Sequence, residues 1–179
     1  MRRTFADIGD AAYRRPHGVL PEDEAPTLHE REVYDPVNVA TAFGCTAVLA
    51  SVDVETGVVD LLGYLIAHDC GTVINPMIVE GQLHGGLAQG IGQALLEEMH
   101  YDETGELITG TLNDYAVPRA HDFPLFESHH TETPTDVNPM GVKGIGEAAT
   151  IGATPAPANA VIDALEPCGL PHVDVPMTP

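Results

Sequence analysis

Residues 77–99 read MIVEGQLHGGLAQGIGQALLEEM. The stretch has the length and periodicity of a helix, yet Gly81, Gly85, Gly86, Gly90 and Gly92 lie inside it. Each glycine costs up to ~1 kcal/mol relative to alanine in a helix. Five such costs need a reason, and close approach of something to the backbone is the natural one. Gly81, Gly85, Ala88 and Gly92 recur at i, i+4, i+7 and i+11, which predicts one smooth stripe with another helix or a ligand packed tightly on it. Gln82, Gln89 and Gln93 share the neighbouring face. Gln82 can donate and accept hydrogen bonds to a polar cofactor; by residue type alone it is equally a partly exposed helix residue.

Upstream of this helix, residues 43–53 (FGCTAVLASVD) and 58–68 (VVDLLGYLIAH) are rich in strand formers. Val54-Glu55-Thr56-Gly57 between them supplies a turn, with glycine available for positive φ. Downstream, Met99–Tyr101 and Glu106–Tyr115 flank Asp102-Glu103-Thr104-Gly105, which predicts a second hairpin. Residues 123–131 suit a further strand, 133–146 a long Pro/Gly loop, and 147–165 a helix interrupted near Pro155 and Pro157. Residues 1–15 suit a short helix. Residues 16–38, with Pro16, Pro21, Pro26 and Pro36 among many acids, read as an irregular connector. The expected organisation is a connector over 1–38, following an interrupted preceding region, and a domain over 39–179. The fold class is α+β, with β-hairpins packed against a Gly-rich helix and a C-terminal helix.

The formal net charge is -20. Acidic residues total 27 against only seven Lys and Arg, and beyond Arg31 only Arg119 and Lys143 remain. A surface of this sign repels nucleic acid and anionic membranes, so neither is an expected partner. It suits either a high-salt cytoplasm, where ions screen the self-repulsion, or an ordinary acidic enzyme. Cys45, Cys70 and Cys168 are widely spaced and lack a C-x-x-C pattern, so neither a zinc ribbon nor an iron–sulfur site is expected within the chain. Their sparse count fits a reducing compartment, and a cytoplasmic location is expected. No apolar run approaches the length of a membrane span.

Gly141-Val142-Lys143-Gly144-Ile145-Gly146-Glu147 concentrates three glycines, the only lysine and a carboxylate. Glycines at this density allow backbone N–H groups to face a ligand. A glutamate placed at the following helix start suits a general base. The same pattern also suits a structural turn whose carboxylate complements the helix dipole. A Walker A loop is excluded because Gly144, not Ser or Thr, follows the lysine, and the spacing is the reverse of a dinucleotide fingerprint. His68, Asp69 and Cys70 with His84 match no known zinc spacing, and no metal ligand is assigned. His129 and His130 point to opposite faces of a strand and cannot chelate one ion together.

Taken together, a series of phrases resembles one family. They are Asp69-Cys70-Gly71, Ile74-Asn75-Pro76, Val79-Glu80-Gly81-Gln82, Gly85-Gly86-x-x-Gln89-Gly90-Ile91-Gly92, Tyr101-Asp102-Glu103, Asp114-Tyr115, Asn138 to Glu147, and Pro176-Met177-Thr178-Pro179. Their order is similar to that of the C-terminal region of molybdenum hydroxylase large subunits, over roughly residues 35–179. That family includes xanthine dehydrogenases, aldehyde oxidases and aerobic carbon monoxide dehydrogenases. The resemblance implies the fold of their C-terminal molybdenum-cofactor-binding domain. It also implies a molybdopterin cofactor, of the cytosine dinucleotide type, and hydroxylation of a carbon with oxygen from water while a glutamate takes the proton. That glutamate falls on Glu147 and the pterin-contacting glutamine on Gln82; Lys143, Gly144 and Gly146 fall beside the same site. The family's Gly-Gly-Gly-Phe-Gly-Gly-type cofactor segment and its substrate-pocket loop have no counterpart here. The resemblance therefore implies a companion chain sharing the cofactor, with iron–sulfur clusters and FAD on other subunits and no turnover by this chain alone. The other open reading is a non-catalytic remnant or interaction domain that retains only the fold.

Overall fold

A computed structural model of the chain describes residues 3–14, 25, 27–29 and 31–179. In it, the turn after Val52 is closed by Asp53. The Asp53 carboxylate accepts the N–H groups of Glu55 and Thr56 at 2.9 and 3.1 Å, and the Asp53 N–H donates to the Val58 carbonyl at 2.9 Å. Gly57 takes φ +77°, a conformation that favours glycine. The turn joins β1 (Phe43–Val52) to β2 (Val59–Asp69) as an antiparallel pair, with a register shift at Leu49/Ala50 that leaves Leu62 unpaired. A third strand, β3 (Phe126–Thr131), runs parallel to β2 on its other edge, with Tyr64 opposite Phe126 and Asp69 opposite Thr131. The sheet order is β1-β2-β3, so β1 lies at one edge.

Helix α2 (Pro76–Leu95) starts where Asn75 accepts the N–H groups of Met77 and Ile78 at 3.1 and 3.3 Å, with Pro76 in the first turn. It buries Val79, Leu83, Leu87 and Ile91 against Tyr64, Ile66 and Cys70 of the sheet side and against Ala149 and Ala153. Fully burying a Leu or Ile contributes ~1.5–3 kcal/mol, so Leu83, Leu87 and Ile91 suffice to offset the helix's glycines. Two further helices, α3 (Ala148–Ala153) and α4 (Pro155–Leu165), follow one another across Thr154. The break falls where Pro155 lacks an N–H. A second core of Ala94, Val161 and Met177 ties α2, α4 and the tail together, and the Met177 N–H donates to the Ala94 carbonyl at 2.8 Å.

The architecture is thus α+β, helices on a mixed sheet. Three expectations are corrected. The helix that packs tightly on α2 does not meet the Gly81–Gly85–Ala88–Gly92 stripe. A Cβ on Gly86 would lie 2.7 Å from the Ala149 Cβ, and one on Gly90 would overlap Ala153, whereas Gly81 and Gly85 face open space. Gly92 is close-packed too, against Glu97 and Pro118. The second hairpin reduces to a single antiparallel bridge, Tyr101 with Leu107. Beyond it, Thr111 and Asp114 close a turn through their side chains (2.7 Å) and through the Asp114 N–H to the Thr111 carbonyl (3.0 Å), which removes those groups from any ladder. The strand expected over 123–131 forms only from Phe126.

The chain divides into two compact units, residues 1–36 and 37–179, each described by itself. In the first, α1 (Phe5–Gly9) begins with a capping box between Thr4 and Asp7 and continues into a π-helical turn, Asp10–Arg14. Of the irregular stretch expected over 16–38, residues 16–24, 26 and 30 lie outside the described residues; its residues 31–36 hold neither helix nor strand. Among the described residues no helix is long and apolar enough to cross a membrane.

Candidate functional site

The Gly141–Glu147 segment is docked on the end of β2. The Thr72 N–H donates to the Gly141 carbonyl (3.0 Å), the Lys143 N–H to the Cys70 carbonyl (2.7 Å), and Gly71 bridges Val142. Asn138 clamps Val142 from both sides, donating to its carbonyl at 2.8 Å and accepting its N–H at 3.1 Å. Gly71 and Gly141 both take φ +68°; a Cβ on Gly71 would collide with the Gly141 carbonyl. Neither position tolerates a side chain, and that is why glycines stand there.

Lys143 does not project into solvent. Its side chain is 8% exposed, its Nζ donates to Asp69 Oδ1 at 3.0 Å, and the ammonium sits 4.6 Å over the Phe43 ring. Asp69 is fully buried. Burial pushes its carboxyl up, but donors from Thr133, the Gly71 N–H (2.9 Å), Lys143 and Thr131 (3.0 Å) outweigh it and hold the group below the usual carboxylate range. The Cys70 thiol next to it is buried and pushed up chiefly by desolvation, the state of an unreactive thiol.

Beyond Lys143 the segment is open. The N–H groups of Gly144, Ile145, Gly146 and Glu147 have no acceptor among the described residues. Glu147 is the N-cap residue of α3, exposed, with no capping bond and no partner for its carboxylate among the described residues. Gln82 of α2 stands beside this segment: its Nε2 lies 3.7 Å from where a Cβ on Gly146 would be. Ile78, Gly81, Gln82, Gly85, Gln89 and Gln93 are the exposed residues running along α2 on this side, and none carries a charge. The structure therefore brings Gln82, Gly146 and Glu147 into one neighbourhood, with Gly144 in the same open segment and Lys143 anchoring it.

His68, Asp69, Cys70 and His84 do not gather as ligands. Among the described residues no cluster of three or more His, Cys, Asp or Glu side chains is arranged to hold a metal ion. His84 instead pairs with Glu80 at 3.0 Å, and Glu80 accepts the Ser128 hydroxyl at 2.7 Å, tying α2 to β3. His129 pairs with Glu127, while His130 turns to the other face and meets the His68 ring edge-on at 5.6 Å. Sequence reasoning missed the Asp69–Lys143 pair. The available signal was the chain's single lysine within a glycine loop, which needs a carboxylate if it is buried.

The sequence profile of a family described as "Molybdopterin cofactor-binding domain" matches residues 1–124. The chain is 39% identical over 176 residues to the carbon monoxide dehydrogenase large chain of Hydrogenophaga pseudoflava, covering 98% of this chain and 21% of that one. It is 39% identical over 178 residues to the nicotine 6-hydroxylase large subunit of Paenarthrobacter nicotinovorans, covering 99% and 22%. Among solved structures it superposes on quinoline 2-oxidoreductase from Pseudomonas putida 86 with a TM-score of 0.85 at 42% identity, covering 98% of this chain and 22% of that one. The chain thus spans about a fifth of the length of the curated relatives it matches. A profile match over most of its length, with relatives aligned along nearly all of this chain, makes it a member of the molybdopterin cofactor-binding domain family, corresponding to part of a molybdenum hydroxylase large subunit.

Proposed function

We propose that the chain forms one wall of the molybdenum-cofactor pocket of a hydroxylase-type oxidoreductase and that Glu147 is its general base. Residues 39–179 are the cofactor-binding domain and 1–38 a connector to it. The observation that carries this reading is the row of four N–H groups from Gly144 to Glu147 without acceptors, beside an uncharged face of α2. A pterin with phosphates needs donors and close approach to backbone, and open amides, bare glycines and a glutamine side chain fit it. When bound, the cofactor supplies the two-electron acceptor for oxidation of a substrate carbon. Gln82 would hydrogen-bond the pterin, Gly144 and Gly146 would let it approach the main chain, and Lys143 supports that segment from behind. Glu147, whose carboxylate has no partner among the described residues, would take the proton from the water that supplies the oxygen.

The remaining cofactor contacts lie on the rest of the large subunit, with iron–sulfur clusters and FAD on further subunits of a cytoplasmic hetero-oligomer. The relatives' names refer to carbon monoxide, nicotine and quinoline, so substrate selection is assigned to the rest of the large subunit. The chain alone has no turnover. The test is metal analysis and kinetics of the native assembly, parent against Glu147→Gln. Molybdenum should co-purify with both, and kcat should fall by roughly three orders of magnitude or more in the variant. Near-parent turnover would remove Glu147 from the mechanism. An assembly without molybdenum would sink the cofactor reading and favour a non-catalytic interaction domain.

A further inference from the structure

We propose that Asp69 is the positioning residue of the Gly141–Glu147 segment, acting through Lys143. Gly141 and Val142 are held by backbone bonds and by Asn138, and beyond them the path to Glu147 is held at two points. On one side Ala149 and Ala153 of α3 seat on the close-packed glycines Gly86 and Gly90 of α2. On the other the anchor is Lys143, whose N–H and Nζ are both spent on the end of β2: the first on the Cys70 carbonyl, the second on Asp69. Only Gly144 to Glu147 spans the gap, and its amides have no bonds of their own among the described residues. The placing of Glu147 therefore depends on what fixes Lys143.

Asp69 is built for that task. It is fully buried at the last position of β2, and its two oxygens are shared among donors from three segments: Gly71 directly after β2, Thr131 and Thr133 at the end of β3, and Lys143 of the loop. A buried ion pair is a weak source of stability, because desolving both charges offsets their attraction, but removing one partner strands the other. Its value here is geometric: one carboxylate sets the relation of two strand ends and the loop. Phe43 at the start of β1 covers the ammonium and keeps the pair from opening to water.

This inference rests on the proposed role of Glu147 for its functional meaning, while its structural part can be tested without cofactor. Hydrogen exchange of the full chain is compared for the parent, Asp69→Asn, Lys143→Met and the double variant. In each variant, the bonded amides of Gly141, Val142 and Lys143 should exchange about tenfold faster or more, while those of the buried turns of α2 keep parental protection. The double variant, which strands no charge, should fold and expose the loop no further than either single change does. In the native assembly, Lys143→Met should lower kcat with KM and molybdenum content unchanged, since it displaces Glu147 without removing the pocket wall. Parental loop protection in the double variant would overturn the proposal. So would a uniform loss across α2 and the loop, which marks a general brace. Loss of molybdenum binding in the parent would instead count against the cofactor reading and leave the exchange result standing.

Discussion

His68 and Asp69 are consecutive in β2 and both buried, yet they are treated oppositely. Asp69 meets a donor for every direction its carboxylate faces, whereas both ring nitrogens of His68 lack a hydrogen-bond partner among the described residues. Burial first, and His130 second, push the imidazole below its ordinary value, against the weaker pull of Asp69 and of Glu80 on α2. With a lowered folded value, the unfolded state binds the proton more readily, so stability is lost as pH falls below the ordinary histidine value of ~6.5. The urea midpoint of the full chain should drop between pH 7.5 and about pH 5.5, and His68→Leu should flatten that drop; equal slopes for the two proteins would acquit His68. Glu147 and Gln82 could be singled out from sequence through the family resemblance, since residue type and a glycine-rich setting alone suit a structural turn and an exposed helix residue as well. Asp69 could not, since its role is defined by donors from Thr131, Thr133 and Lys143 that only folding brings to it.

Helix α2 shows what periodicity reveals and what it hides. Its existence, its Asn-Pro start and its need for close contacts are all written in 75–95, but two glycine rows satisfy the same spacing, Gly81–Gly85 and Gly86–Gly90. Which row meets α3 is a matter of rotation about the helix axis, fixed by the burial of Val79, Leu83, Leu87 and Ile91. The two rows should respond oppositely to alanine. Gly90→Ala forces a Cβ into Ala153 and should destabilise by about 1–3 kcal/mol. Gly81→Ala and Gly85→Ala meet open space and should each stabilise the chain by up to ~1 kcal/mol in urea unfolding, while weakening cofactor retention in the assembly. Equal effects from both rows would refute this division. The β1–β2 hairpin was legible for the same local reasons, a turn formed by Asp53 and Gly57 between alternating runs. The parallel pairing of β3 with β2 was not, because it joins residues far apart in sequence and carries no turn to announce it.

For the chain as a whole, charge is the dominant number. Of the two cations beyond Arg31, Lys143 is buried on Asp69, which leaves Arg119 as the exposed Lys or Arg of residues 32–179. The exposed histidines His100, His121, His129 and His172 each sit within 3.2 Å of a carboxylate. Repulsion among the remaining acids is screened over ~10 Å at 0.1 M salt and ~3 Å at 1 M. The urea midpoint should therefore rise from dilute buffer to about 2 M KCl. A midpoint indifferent to salt would show that the acidic surface is no burden to the fold, and would count against a halophilic source.

That electrostatic repulsion bears on the edge of the sheet. All ten residues of β1, FGCTAVLASV, are uncharged, and Leu49 is 63% exposed. Proteins usually guard such a margin with lysine, proline or a cover. Here, screening the acids with salt would also remove what keeps two copies apart, so the condition that steadies each molecule invites strand-to-strand polymerisation. Light scattering should grow with KCl for the solitary chain, and Leu49→Lys should suppress it; scattering that ignores this substitution would clear β1 as the seed.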